Sequence, residues 1–164
     1  MFKEEFFRYV IFLTKVIPGL LGCKIRQFIL PTRIGKGSLI WDFVHIDAPS
    51  NLTLGRNTSI NRGCVLNCCG EIEIGDDVLI GPNVTIYSQN HNYVEKSKLI
   101  NSQGYMKAKV IIRNDVWIAS SVVILPGVII AQGSVIAAGA VVTKNTDKYS
   151  IYAGIPAKKI GQRE

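Results

Sequence analysis

Only two histidines, His45 and His91, occur among the 164 residues, and that scarcity narrows the chemistry. A three-histidine zinc centre needs more imidazoles than one chain carries, so no metal site is expected. The four cysteines, Cys23, Cys64, Cys68 and Cys69, form no Cys-x-x-Cys pair. Adjacent Cys68 and Cys69 are poorly placed for a structural disulfide, so reduced core residues are expected. Within Phe2 to Leu30 the longest uncharged run, Val16 to Cys23, has eight residues. That is far below the roughly 20 needed to span a bilayer. The opening Met1-Phe-Lys-Glu-Glu has mixed charge and no clear small-residue cleavage site after it, so a cytoplasmic location is expected.

What is present describes one ordinary globular domain: 48% hydrophobic and 19% charged residues, enough for a core and too apolar for disorder. A net charge of +7 fits either a solvated basic face or an anionic partner, such as a phosphate-bearing cofactor, a nucleotide or a membrane surface.

The strongest signal is a period of six. From Ile74, an aliphatic residue recurs at Ile80 and Ile86, and the third hexad ends near His91. Sliding the block back by twenty residues matches Leu54, Ile60 and Leu66; sliding it by forty matches Ile34, Ile40 and Ile46. Six fits neither the helical period of 3.6 nor the strand period of 2, but it fits short strands joined by tight corners in a β-helix. Three six-residue sides make one triangular coil, with the aliphatic residues pointing inward. Gly35, Gly55, Gly75, Gly81, Asn57, Asp76 and Asp77 suit corners, where some residues need a positive φ. The pattern resumes at Ile112, Ile118, Ile124, Ile130, Ile136 and Val142 without the two extra residues per coil seen earlier. About fifteen hexads make roughly five coils, a prism on the order of 24 Å tall.

Three regions follow. Residues 1–30 carry apolar residues at Phe2, Phe6, Val10, Leu13, Val16, Ile17, Leu20 and Leu21, a helical pattern that Pro18-Gly19 divides. This segment reads as a cap over the open end of the prism or as a face lying on an anionic membrane. Residues 31–147 form the β-helix, interrupted by a polar excursion at 92–109, and a loop that long is usually functional or disordered. Residues 148–164 form an extension in which Pro156-Ala-Lys-Lys-Ile predicts a short basic helix.

Ile80-Gly-Pro-Asn-Val-Thr-Ile86 leading to His91, Val116-Trp117-Ile118, Ile124-Leu-Pro-Gly127, Ala138-Gly-Ala-Val-Val-Thr143-Lys144 and Ala153-Gly-Ile-Pro156-Ala-Lys158 together resemble the hexapeptide-repeat acyltransferases. Within that family they are similar to the sugar O-acetyltransferases of the maltose and galactoside type and their relatives in polysaccharide biosynthesis. The resemblance runs from about Ile34 to Ile160. It implies an all-β, left-handed parallel β-helix, a homotrimer, acetyl-CoA as co-substrate in clefts between subunits, and a sugar, nucleotide-sugar or glycan acceptor. Nucleic acid is not among the implied partners.

Acetyl transfer to a hydroxyl needs a base, because the hydroxyl is a weak nucleophile until its proton is leaving. An imidazole suits that task near neutral pH. The resemblance assigns it to His91, which closes a hexad at the departure of the excursion; His45, in the first coil, reads as a packed or exposed side chain. By the same resemblance Ser120 lies near the thioester. Ala119, Ala137 and Ala138 keep the wall low for the pantetheine arm, Trp117 stands beside the cleft, and Thr143, Lys144 and Lys158 line its nucleotide end. Asn61 matches an acceptor-contacting asparagine, while Asn83 and Asp47 are further acceptor-side candidates. The family's acceptor aspartate falls at Cys69, and Gly161 stands where some relatives carry an arginine that Lys159 or Arg163 could replace. Transfer to the nitrogen of an amino sugar would use the same base, and a scaffold without activity would not need His91 at all.

Overall fold

A computed structural model describes residues 2–164, with side chains from Tyr9 onward. The side chains of Phe2 and Phe6, counted above toward the amino-terminal pattern, lie outside the described residues. Helix α1 (Phe2–Lys15) stops before Pro18, which sits at the amino-terminal cap of α2 (Gly19–Ile29). Proline offers no N–H to continue the first helix but suits the start of the second. Among the described residues no helix is long and apolar enough to cross a membrane.

The hexads then fold as five coils. The first three are β1 (Arg33–Ile34), β2 (Leu39–Ile40) and β3 (His45–Asp47); β4 (Leu52–Leu54), β5 (Ser59–Ile60) and β6 (Val65–Asn67); and β7 (Ile72–Ile74), β8 (Leu79–Ile80) and β9 (Thr85–Tyr87). A hairpin, β10 (Gln89–His91) and β11 (Tyr105–Lys107), interrupts the winding. Two further coils follow: β12 (Val110–Ile112), β13 (Trp117–Ile118) and β14 (Val123–Ile124), then β15 (Ile129–Ile130), β16 (Val135–Ile136) and β17 (Val141–Val142). Corresponding sides stack in parallel into three sheets, giving a left-handed parallel β-helix.

Register follows the hexads. Leu54, Ile74, Ile112 and Ile130 form one buried column, and Ile40, Ile60, Ile80, Ile118 and Ile136 form a second. Ile46, Leu66, Ile86, Ile124 and Val142 form the third. Adjacent rungs lie about 4.8 Å apart, so each aliphatic side chain packs on its copies above and below. Where a hexad carries a hydroxyl at a buried corner, the hydroxyl bonds to backbone. Ser38 Oγ donates to Gly55 O at 2.5 Å and Thr58 Oγ1 to Gly75 O at 2.8 Å. Cys64 and Cys68 are free thiols in the same interior, and burial pushes them up to about 11 and about 12.

The corner residues named from the spacing divide into two kinds. Of these, Asn57 (φ 54) and Asp77 (φ 58) take the left-handed conformation, whereas Gly35, Gly55 and Gly75 are not among the positive-φ residues. A Cβ on Gly55 would lie 2.4 Å from the backbone of Gly75 in the next coil. Close approach of stacked backbones, not dihedral freedom, requires glycine there.

The carboxy-terminal helix predicted from Pro156 does not form. Instead β18 (Ser150–Ala153) pairs in parallel with β16, and β19 (Lys158–Gln162) folds back antiparallel on β18. An open sheet edge offers more backbone hydrogen bonds than a single helical turn, so it captures the segment.

The two extra residues per amino-terminal coil occupy one corner, between the third side and the next coil's first side, for example the 3-10 turn Pro49–Asn51. The hairpin leaves from that same corner. Ile74 still pairs with Ile112 across it, so the ladder closes beneath the excursion.

Candidate active site

His91 ends β10 and pairs with Tyr105 of β11, and their rings lie 4.5 Å apart, tilted by 40°. Its backbone N–H donates to Asn90 Oδ1 at 3.1 Å. Among the described residues the imidazole has no hydrogen-bond partner, and it is exposed. The hairpin that presents it is closed by Asn92, whose N–H donates to Gly104 O at 3.0 Å and whose Nδ2 donates to Gln103 O at 3.1 Å. Gln103 staples the loop: its Nε2 donates to Glu95 O and Lys98 O, and its Oε1 accepts the Glu95 N–H. The excursion is therefore built and ordered by its own polar groups.

His91 lines a cleft of about 470 Å³ with Asn67, Tyr87, Gln89, Asn90, Tyr105, Leu125 and Pro126. The hairpin is one wall. The other is the outer face of the third sheet, where Asn67 and Tyr87 are paired rungs of one outward column. Among the described residues the lining holds carboxamides, phenols and apolar faces but no lysine, arginine or carboxylate. Such a surface can hold hydroxyls by hydrogen bonds and rings by stacking.

Sequence reasoning places His91 here but does not single out Tyr105, Asn67 or Tyr87. The last two follow the third-side aliphatics Leu66 and Ile86, a position whose outward direction was a usable signal. Tyr105 was hidden because its partner strand belongs to the aperiodic excursion.

The other candidates gather at the corner between the second and third sides. Asn61 follows β5 and accepts the Arg62 N–H at 2.8 Å, and Asn83 takes a left-handed corner conformation with φ 58. Neither lines the His91 cleft. Ala119 and Ser120 occupy this corner in the fourth coil, and Ala137 and Ala138 occupy it in the fifth. Among the described residues the Ser120 backbone N–H has no acceptor within the chain. Trp117 lies outward on β13, half exposed, directly above an exposed Leu79.

Thr143 and Lys144 follow β17 and are exposed. The Ala157 N–H donates to Val141 O at 2.8 Å, which brings the start of β19, and so Lys158, to the same end of the prism. Neither Lys144 nor Lys158 has an ion-pair partner among the described residues, whereas Lys159 pairs with Asp147 at 3.2 Å and Arg163 with Asp115 at 3.0 Å. Of these four cations, two are free to meet an anion.

Asp47 does not itself line the His91 cleft but lies one rung below Asn67, which does, on the same outward column. It accepts a hydrogen bond from His45 Nε2 at 2.9 Å. Within one chain, then, His91 and the alanine corner are not brought together. One side of the prism, no more than about 20 Å wide, separates them.

Comparison with known proteins agrees with the repeat. The family model described as bacterial transferase hexapeptide (six repeats) matches residues 109–144. The maltose O-acetyltransferase from Clostridium difficile 630 superimposes with a TM-score of 0.85 at 30% identity, covering 98% of this chain and 86% of that one. A galactoside acetyltransferase in complex with coenzyme A superimposes equally well, TM-score 0.85 at 30% identity, covering 96% and 79%. Nodulation protein L of Rhizobium meliloti (strain 1021) is 34% identical over 58 residues, which is 35% of this chain and 32% of that protein. The match thus spans about a third of that curated relative's length.

Proposed function

The chain belongs to the hexapeptide-repeat acetyltransferases, and from that premise we propose that it transfers an acetyl group from acetyl-CoA to a sugar hydroxyl, with His91 as general base. The observation that carries this is an imidazole without a partner among the described residues, held by Tyr105 at the mouth of a cleft that can bind hydroxyls. His91 takes the proton of the sugar hydroxyl as its oxygen attacks the thioester carbonyl. A tetrahedral intermediate forms, its oxyanion met by the Ser120 N–H. Collapse breaks the C–S bond, and the imidazolium returns the proton to the departing thiolate, so no acyl-enzyme is needed.

The separation of His91 from Ser120 within one chain supports a homotrimer in which each cleft is completed by a neighbouring copy. A ring of three heterologous contacts closes such an assembly. The hairpin's exposed Tyr93, Val94, Leu99, Ile100 and Met106 supply an apolar face for it, as do Leu79 and Trp117 on the second sheet. On the neighbour, the pantetheine arm runs along Ala119, Ala137 and Ala138 past Trp117, and the phosphates meet Thr143, Lys144 and Lys158 as point charges. Asn61 and Asn83, on the same corner in the second and third coils, stand on the acceptor side. Cys69 replaces the family's aspartate and leaves the acceptor less constrained there. We place this chemistry in surface-polysaccharide biosynthesis in the cytoplasm. The exposed Leu13, Leu20, Leu21 and Phe28 of α1 and α2 support peripheral contact with the inner membrane face.

The test is thiol release from acetyl-CoA with a panel of sugars and nucleotide sugars, comparing the wild type with His91→Ala. Turnover is expected to fall about 10²- to 10⁴-fold while acetyl-CoA binding persists. Equal rates in the two proteins remove His91 as base. Alkali then separates an ester product from an amide and decides between oxygen and nitrogen as acceptor atom.

A further inference from the structure

We propose that a second saccharide-binding subsite lies between α1 and the first coil, so that the acceptor is an uncharged glycan of at least two sugar residues rather than a single sugar or a nucleotide sugar. This rests on the acetyl-transfer reading above. A second cavity, about 530 Å³, opens between Phe12 and Lys15 of α1 and His45 and Asp47 of β3. It is not a separate region of the surface. Asp47 pairs with Asn67, and Asn67 with Tyr87, so one outward column carries the floor of this cavity into the floor of the His91 cleft. Two rungs of about 4.8 Å separate Asp47 from Tyr87. One pyranose ring covers about one rung; a disaccharide reaches both cavities.

The groups in the second cavity suit a polyol. Lys15 Nζ lies 2.5 Å from His45 Nδ1, and His45 Nε2 lies 2.9 Å from Asp47 Oδ1. An ammonium can only donate, so Nδ1 accepts and Nε2 carries the proton that goes to Asp47. Asp47 keeps its second oxygen for sugar hydroxyls, Lys15 keeps its remaining protons, and the exposed Phe12 ring offers a stacking face for a pyranose. The cluster sets one ammonium against one carboxylate with the His45 ring between them. Among the described residues neither cavity holds an uncompensated cation, and their side chains offer no diphosphate site.

The experiment measures initial rates of thiol release from acetyl-CoA with glucose, maltose and maltotriose, with galactose and lactose, and with UDP-glucose as the charged control. We expect kcat/KM to rise about tenfold from the monosaccharide to the longer acceptor, the effect of one added stacked contact. UDP-glucose gains nothing over glucose. Phe12→Ala and Lys15→Met remove the gain and leave the monosaccharide rate within about twofold. Thiol release that is independent of acceptor length, or fastest with UDP-glucose, overturns the subsite and leaves acetyl transfer standing. No release with any of these sugars overturns the sugar-acceptor reading, and the subsite with it. The wild-type length series needs no variant, so poor folding of either substitution does not blunt the test.

Discussion

The first three coils and the last two are wound on the same ladder but tolerate departures from it very differently. Coils one and two each carry two extra residues at a single corner, and the third carries the whole hairpin there. In the strict carboxy-terminal coils Ile112 reaches Ile130 in eighteen residues. The insertions leave the interior unchanged, because an aliphatic column needs only its inward rungs in register and the corner between them can be any length that returns to the next rung. Insertion is therefore where the candidate site is built: His91 and one wall of its cleft come from the irregular corner. The strict coils supply the small-residue corner, and Lys144 just after them joins Lys158 of β19 as a cation without an ion-pair partner among the described residues.

That contrast can be broken. Ile118→Ala, in the middle of the second column, is expected to give the largest loss, about 2–5 kcal/mol in urea unfolding, because rigid rungs on both sides cannot collapse into the cavity. Truncation of the exposed Lys96 to Ala in the excursion should leave the unfolding free energy within about 0.5 kcal/mol. A comparable loss at both sites would mean that the hairpin is part of the folding core.

Arg26→Met comes next. Arg26 is 2% exposed, and its guanidinium donates to Ile40 O at 2.8 Å and to Thr14 O and Ile17 O, tying the end of α1 and all of α2 to the first coil. Leaving those carbonyls unsatisfied costs about 1–3 kcal/mol. Hydrogen exchange should quicken in α1, α2 and β2 and stay unchanged in β13 to β16. Uniform quickening would show that the cap and the prism unfold as one unit.

Tyr105→Ala should lower kcat about tenfold with little change in KM for acetyl-CoA, while Tyr105→Phe, which keeps the ring beside His91, should stay within about twofold of the wild type. A Phe variant as impaired as the Ala variant would assign the role to the hydroxyl and not to the stack.

The smallest effect is acid sensitivity, and it too divides the halves. Hydrogen-bonded guanidinium groups of Arg62 and Arg56 hold the Asp42 and Asp76 carboxyls below their ordinary values, and the Lys109 ammonium does so for Glu73. A carboxyl depressed in the folded state is protonated first in the unfolded chain. Its contribution is therefore present above about pH 4 and is lost as pH falls through the folded value. All three groups lie in the first three coils, so between pH 5 and 3 exchange should quicken there before it does in β13 to β17, and Asp42→Asn should flatten the fall of Tm.

Much of the prism was legible because its signal is one-dimensional. An aliphatic residue every six positions must point the same way in every coil, and the column from Ile40 to Ile136 follows from that alone. The break at Pro18-Gly19 was legible for a similarly local reason. The strand Lys158–Gln162 was not, since its conformation depends on the free edge of β18, which no local pattern encodes. His91 was legible from its place at the end of a hexad. Tyr105, fourteen residues further on, became its neighbour only through antiparallel pairing inside an aperiodic segment, and Asn67 only through stacking across twenty residues.

By itself the sequence determined the repeat, the inward columns, the corner that accepts insertions and the single imidazole set beside it, because each of these depends on residue type at a fixed spacing. Only the tertiary structure decided that one outward column of Asp47, Asn67 and Tyr87 joins two cavities, that Tyr105 holds His91, and that His91 and Ser120 lie on different corners of the chain. These are distances between residues far apart in the chain, and they are set by how the coils stack and where the hairpin folds back, not by any neighbour in sequence.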